Sequence, residues 1–288
     1  MTDVKQVDMT GKVCLVTGGN SGIGKESAVG LAKLGATVVI VSRNADKGEA
    51  AVVEIRTRSG NQDVELLQAD LSSQDSVRQL ADEYRRRYKK LHVLLNNAGI
   101  YLPKRIVTVD GLEATFATNH LGHFLLTNLL LDLLKTSAPS RIINITSSAH
   151  YGYEINFEDL MGEKKFSSFQ AYGRSKLANV LFTYELAKKL EGTRVTVNCL
   201  HPGVVRTGFG KDLGGFFSIA VRVVSPFMMS PEKSARAAVY LATAPELENV
   251  TGKHFSKGKE EKSSKESYDP VMAEKLWQVS AELTKLDV

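Results

Sequence analysis

Six short apolar runs rich in β-branched residues, KVCLVT, ATVVIVS, VELLQAD, LHVLLNN, RIINIT and RVTVNCL, recur along the chain. Stretches with helical periodicity lie between them, at 22–34, 45–59, 73–89, 111–136 and 170–191. Strands that are apolar on both faces belong inside a sheet covered on each side, and a regular strand-to-helix alternation makes that sheet parallel. The pattern predicts an α/β chain with a doubly wound parallel sheet in three layers, whose ligands bind beyond the carboxyl ends of the strands. A further helical run at 231–244, a short strand near His254 and Phe255 and a last helix near 270–285 complete it. With no internal repeat and no linker, residues 1–288 read as a single domain, 1–11 being an N-terminal extension.

The stretch VTGGNSGIG, residues 16–24, follows the first strand and opens the first helix. That setting separates a phosphate-binding loop from an ordinary glycine turn. Gly18 suits the tight turn, Gly22 the close approach of backbone to a pyrophosphate, and Gly24 close helix–strand packing. The helix N-terminus adds unpaired N–H groups for the anion. Asn20, Ser21 and Ile23, lying between the glycines, join the candidate binding set. After the second strand, where an NAD site carries an acidic residue, this chain has Ser42 and Arg43. With no carboxylate there to repel a 2′-phosphate, and with Arg43 able to offer a planar fork beside Lys47, the cofactor reads as NADP(H). LLNNAGI ends the fourth strand in the same manner, with Asn96, Asn97, Ala98 and Gly99 bringing backbone towards the cofactor.

AYGRSKLANVLFTYELAKKL contains the Tyr-x-x-x-Lys spacing twice, at Tyr172/Lys176 and at Tyr184/Lys188. Each pair shares one helix face. The second lies about 18 Å further along and about a third of a turn round, so it cannot serve the same site. Only Tyr172 stands at the helix start, near the strand ends. Tyrosine ionises near pH ~10, but a lysine charge at ~4 Å and an effective dielectric of ~20 favours the phenolate by roughly 4 kcal/mol, about three pKa units. So tuned, Tyr172 can donate a proton to a carbonyl oxygen or take one from an alcohol. Ser147 and Ser148, ending the fifth strand, are both placed to hydrogen-bond the substrate oxygen, and both are also ordinary turn residues. Asn119, a poor helix former within ATFATNHLGHFLLT, hints at a polar task.

Composition narrows the partners. The net charge is +5, but lysines concentrate in TGKHFSKGKEEKSSKES, where they mix with glutamates and serines, so 256–268 reads as a solvated loop and not as a nucleic-acid patch. Cys14 and Cys199 lie inside apolar runs as small core residues of a reducing compartment, and no metal-ligand spacing is present. Neither a signal peptide nor an apolar run of the roughly 18 residues that a span needs is found, so a cytoplasmic protein without a membrane span is expected.

Taken together, T-G-x-x-x-G-x-G, N-N-A-G, a strand-end serine, Tyr-x-x-x-Lys and HPGVVRT occur in this order over nearly the whole chain. This set resembles the short-chain dehydrogenase/reductase family and, through NHLGHFLLTNLLLDLLKTSAPSRIINITSSAH and the Tyr172 helix, its retinol dehydrogenase-like branch. The resemblance implies a Rossmann fold and an oxidoreductase that moves a hydride between nicotinamide and a carbonyl or alcohol. It implies that Tyr172 is the acid/base, that Lys176 lowers its pKa and holds the nicotinamide ribose, and that Asn119 positions a water relaying protons to Lys176. The branch spaces its serine so as to select Ser147 over Ser148. Asp70 and Leu71 are expected near the adenine, Asn97, Ala98 and Gly99 at the ribose, and Pro202, Gly203, Val205 and Thr207 at the nicotinamide end. Many animal members of the branch carry an N-terminal membrane anchor; none precedes the first strand here, which argues against a membrane-dissolved retinoid.

In the family the substrate lid falls at 203–230, here GFGKDLGGFFSIAVRVVSPFMM and its flanks, rich in Phe and Met, a pattern that suits a lipophilic carbonyl compound and equally an apolar helix packing on its own core. A retinoid or steroid dehydrogenase is the alternative, and a nucleotide-sensing protein without turnover is a rival from another class. Leucine and phenylalanine cover most of the circumference of NHLGHFLLTNLLLDLLK, so this helix needs cover on both sides. A second copy of the chain is the expected cover, giving a homodimer; the alternative is the C-terminal segment folding back.

Overall fold

The computed structural model describes residues 7–203 and 229–287. Strands β1 (Val13–Thr17), β2 (Thr37–Ser42), β3 (Val64–Gln68), β4 (Val93–Asn96), β5 (Ser140–Ile145), β6 (Val195–His201), β7 (His254–Ser256) and β8 (Lys259–Glu260) form one sheet in the order β3-β2-β1-β4-β5-β6-β7-β8. All neighbours are parallel except β8, which returns antiparallel to β7. The order reverses between β1 and β4, which makes the crevice beyond their carboxyl ends the natural ligand site.

Strand side chains alternate between two cores, and both cores are apolar. Cys14 and Val16 of β1, Val38 and Ile40 of β2, and Val93 and Leu95 of β4 face one. Leu15, Val39, Val41 and Leu94 face the other. Helices α1 (Gly22–Lys33), α2 (Ala45–Ser59) and α7 (Pro231–Thr243) cover the first face. Across the sheet lie α3 (Gln74–Arg87), α4 at 114–129, α5 (Leu131–Thr136) and α6 (Ser168–Lys189). Caps hold several of these helices at their starts. Asn44 accepts from the Lys47 N–H, Ser73 from the Ser76 N–H and Ser230 from the Lys233 N–H, each cap worth about 1 kcal/mol.

Three expectations are corrected. The helix expected over 111–136 is not continuous. Its first part combines a single turn at Ala114–Phe116, a π-helical stretch at Ala117–Leu121 and an α-helix at Gly122–Leu129, and the chain then breaks at Leu130 before α5. Next, the segment 256–268 is not simply a solvated loop. Its lysines are exposed, but Ser256, Ser263, Ser264 and Ser267 are buried. The hydroxyls of Ser263 and Ser267 find partners inside the fold, Ser263 with Tyr184 at 2.7 Å and with Ser267 at 2.6 Å, whereas the lysine side chains stay exposed.

The third correction concerns the cover over α4. The last helix, α8 (Pro270–Thr284), packs across α4 and α6. Trp277 meets Phe124 and Phe182 with ring centroids 5.0 and 5.9 Å apart, and the Ser280 hydroxyl reaches His120 Nε2 at 2.9 Å. The cover assigned to a second copy is thus supplied from within the chain. Burying an indole against two phenyl rings removes the apolar face that motivated a dimer.

Candidate active site

Gly18, at φ +65°, makes the turn out of β1, and a side chain there would begin 3.0 Å from the Ala98 Cα. At Gly24 a Cβ would lie 2.4 Å from both the Gly18 carbonyl oxygen and Asn97 Nδ2, so the helix meets the glycine loop backbone to backbone and the NNAG loop through the Asn97 amide. Gly22 also has positive φ. Ser21 stands at the helix cap without making a side-chain cap bond. The first turn, with Asn20, Ser21 and Ile23 around it, therefore keeps free N–H groups for an anion. This cradle, which a Cβ would fill, fits the pyrophosphate of a dinucleotide. The Asn97 amide nitrogen donates to the Thr17 carbonyl at 2.8 Å and faces the Gly18 carbonyl at 3.4 Å, holding the glycine loop.

At the adenosine end, β2 and β3 bring together two residues read separately from the sequence. Arg43 Nη1 lies 3.8 Å from Asp70 Oδ2, and the Arg43 side chain is 73 % exposed. Asp70 Oδ1 accepts from both the N–H and the hydroxyl of Ser72. The absence of a carboxylate at 42–44 is thus partly offset by Asp70. An exposed pair at this separation is weak, so the guanidinium remains available to a phosphate. Leu71 is buried, with its carbonyl and Cβ pressed against Gly122, so only its backbone can serve a nucleotide.

Beyond β5 and at the start of α6 the catalytic candidates converge. Ser147 hydrogen-bonds Tyr172. Its Oγ also accepts the Ala149 N–H at 3.2 Å, which leaves its own proton to donate. Ser148, by contrast, is exposed. Lys176 is buried, donates from Nζ to the Ile145 carbonyl at 3.2 Å, and lies 5.6 Å from the Tyr172 ring centroid. The expected tuning of the phenol by the lysine is not what dominates here. Burial pushes Tyr172 up to about 12, with the Ser147 hydrogen bond pulling the other way, and burial lowers Lys176 to about 8. Both charged forms are costly inside the protein, and an ammonium drawn towards neutrality stabilises a phenolate less than a full charge would.

Asn119 sits in the π-helical stretch, a backbone irregularity that gathers at functional sites. Its amide accepts the Ile100 N–H at 2.7 Å and donates to the Ile100 carbonyl at 2.9 Å and to Ser175 at 3.0 Å. The backbone carbonyl takes His123 Nδ1 at 3.1 Å and Asn179 Nδ2 at 3.0 Å, which uses both of its lone pairs. One acceptor position remains on Oδ1. A side chain at Gly99 would begin 3.4 Å from that atom and 3.4 Å from Lys176 Nζ, so the glycine keeps open the space between them.

Sequence reading missed several polar residues that hold this arrangement. His123 is fully buried and kept neutral, its pKa lowered to about 3 by burial. Because its Nδ1–H donates to a carbonyl, Nε2 must accept, and the Thr17 hydroxyl donates to it at 2.9 Å. Thr17 in turn accepts the N–H groups of Asn97 and Ala98 at 2.8 and 3.0 Å. Asn179, one turn after Lys176, bridges Asn119 to His120. Tyr101 forms an aromatic wall, with ring centroids 5.8 Å from Tyr172 and 5.7 Å from Phe169. Tyr101 lies two residues after N-N-A-G and was the one detectable signal among these; the others resemble ordinary buried polar residues.

Pro202 and Gly203 follow β6 at the same edge, both buried, and a side chain at Gly203 would meet Met229 Sδ at 2.7 Å. Val205, Thr207 and most of the expected lid at 203–230 lie outside the described residues.

A family model described as short chain dehydrogenase matches residues 12–215. Retinol dehydrogenase 12 of Mus musculus is 46 % identical over 277 residues, covering 96 % of this chain and 87 % of that protein. Retinol dehydrogenase 13 of Homo sapiens is 44 % identical, covering 96 % and 86 %. Among solved structures, a protein from Mycobacterium Paratuberculosis superposes with a TM-score of 0.80 at 35 % identity, over 98 % of this chain and 96 % of that one. The RhlG/NADP complex of Pseudomonas aeruginosa superposes with a TM-score of 0.70 at 30 % identity, over 86 % and 95 %.

Proposed function

Because this chain belongs to the short-chain dehydrogenase family, in its retinol dehydrogenase-like branch, we propose that it is an NADP(H)-dependent oxidoreductase acting on a lipophilic carbonyl or alcohol, with Tyr172 as the acid/base. The observation that carries the reading is the meeting of Ser147, Tyr172 and Lys176 at the carboxyl ends of the strands. The nicotinamide, when bound, supplies or accepts the hydride. Tyr172 gives its phenolic proton to the carbonyl oxygen, Ser147 donates a hydrogen bond to the same oxygen, and Lys176 stands behind the phenol to return the proton. Gly18, Gly22 and Gly24 hold the pyrophosphate, and Arg43 meets the 2′-phosphate.

A lipophilic substrate is supported by the wall of Tyr101, Phe169 and Tyr172. Retinal or a ketosteroid is the second reading, favoured by the identity to retinol dehydrogenases. A cytoplasmic location is supported by two free, buried cysteines, Cys14 and Cys199. With α4 covered by α8, light scattering is expected to give a mass near the 31.5 kDa of one chain; a stable dimer would require another face. The experiment that tests the function is NADPH oxidation by the purified protein over aldehydes, cyclic ketones, retinal and ketosteroids. Binding of NADPH with no turnover of any of them would favour the nucleotide-sensing reading instead.

A further inference from the structure

Three of the chain's histidines, His150, His201 and His254, gather beside Ser147, although they do not converge as a set that could hold a metal ion. Two of them grip the serine's own peptide. His150 Nδ1 lies 2.6 Å from the Ser147 carbonyl, which can only accept, so Nδ1 carries the proton. Its Nε2 is then the acceptor, and it takes the Ser264 N–H at 3.1 Å. His201, at the end of β6, uses its ring the other way round: Nδ1 accepts the Ser148 N–H at 3.1 Å, which leaves its proton on Nε2.

We propose that His150 and His201 are positioning residues for Ser147. As neutral imidazoles of opposite tautomer, they fix the Ser147–Ser148 peptide between β6 and the segment that follows β8. Within the loop the backbone makes only its own turn bonds, from the His150 N–H to the Ser147 carbonyl at 3.1 Å and from the Tyr151 N–H to the Ser148 carbonyl at 3.2 Å, so the rings are its ties to β6 and to the segment after β8. Ser148 is exposed, and Ser147 spends its own oxygen on the Ala149 N–H. The direction of its remaining proton, the one aimed at Tyr172 and the substrate oxygen, therefore depends on where this peptide lies. The clamp works only while both rings are uncharged, since each needs an acceptor nitrogen. Burial meets that requirement, lowering His201 to about 4 and His150 in the same direction, with Lys257 and His254 adding to it at His201 and Glu261 and Glu266 opposing. The segment read from sequence as solvated thus acquires a task, since its Ser264 N–H anchors the far side of His150.

This inference rests on the function proposed above, but its first test does not. In protein labelled with 15N-histidine and free of nucleotide, NMR at pH 7 should find His150 as the Nδ1–H tautomer and His201 as the Nε2–H tautomer. His150 in the other tautomer, or either ring protonated, overturns the clamp whatever the protein catalyses. The second test uses turnover of NADPH with 4-nitrobenzaldehyde. His201→Leu should lower kcat about tenfold with the KM for NADPH unchanged. His201→Asn, whose amide oxygen can accept the same N–H, should restore kcat to within about threefold. In a Ser147→Ala background, His201→Leu should cost almost nothing further, because the histidine acts through the serine. An equal cost in both backgrounds, or a change confined to KM, overturns the proposal. Should His201→Leu fail to fold, Ser264→Pro removes the single N–H that His150 accepts at a residue whose φ is already −63°. It should lower kcat severalfold, and unchanged kcat there also overturns the clamp.

Discussion

Helix α6 carries one spacing twice, and the two copies meet opposite environments. At its start, Tyr172 faces Ser147 and Lys176 is buried beneath the NNAG loop. Three turns later, Tyr184 stacks on Tyr268 with centroids 5.4 Å apart and shares a 2.7 Å hydrogen bond with Ser263, while Lys188 is exposed. The second tyrosine is closed off by the segment after β8, and burial holds its phenol well above the usual range. Spacing along a helix sets which residues are neighbours. What a pair can do is set by what lies across from it.

The comparison breaks first on turnover. Tyr172→Phe is expected to fold, bind NADPH and lose about 10³-fold in kcat, within the range for removing a general acid, whereas Tyr184→Phe should stay within about threefold. Equal losses measured in the NADPH assay would mean that the wrong end of the helix has been assigned.

Lysine substitutions sharpen it through stability. Lys176 is held at about 8, below its ordinary value, so the unfolded chain binds the extra proton between about pH 8 and 10.5. Stability therefore rises with pH across that window, and below it the buried ammonium is a burden. Lys176→Met should consequently gain about 1–3 kcal/mol at pH 7, the lost Ile145 hydrogen bond reducing the gain, even as turnover collapses. The gain should vanish by about pH 10.5. Lys188→Met should change neither quantity, and urea melts at the two pH values decide. A Lys176→Met protein less stable at pH 7 would show that the ammonium is held by more than the Ile145 carbonyl.

Smaller effects follow at the two outer ends. Arg43→Ala should reduce the preference for NADPH over NADH by about tenfold, roughly 1.4 kcal/mol, through KM and not kcat. Because Asp70 shares that guanidinium, Asp70→Asn should shift the preference the other way; no movement with either variant would remove the 2′-phosphate from this corner. Least of all, Tyr184→Phe should cost about 1 kcal/mol of stability through the lost Ser263 bond, and an unchanged melting temperature would show that this contact does not hold the late segment.

Much of this protein was written locally. Apolar runs of strand length, the glycines after β1 and the four-residue spacing of Tyr172 and Lys176 are each determined within a few neighbouring residues. The order of the elements, the crevice at the sheet's reversal and the family followed from them. Only the tertiary structure decided that α8 covers α4, that the serines of 256–268 are buried among its exposed lysines, that Asp70 lies across from Arg43, and that His150 and His201 grip the serine loop. These depend on contacts between residues up to some 160 positions apart. A serine, histidine or asparagine has the same local preferences whether it will be solvated or buried, because burial is a property of what packs against it. For the same reason spacing alone does not set the tuning of Tyr172: a pair of residues four apart fixes a distance, but the surrounding low-polarity packing fixes how much charge either partner can carry.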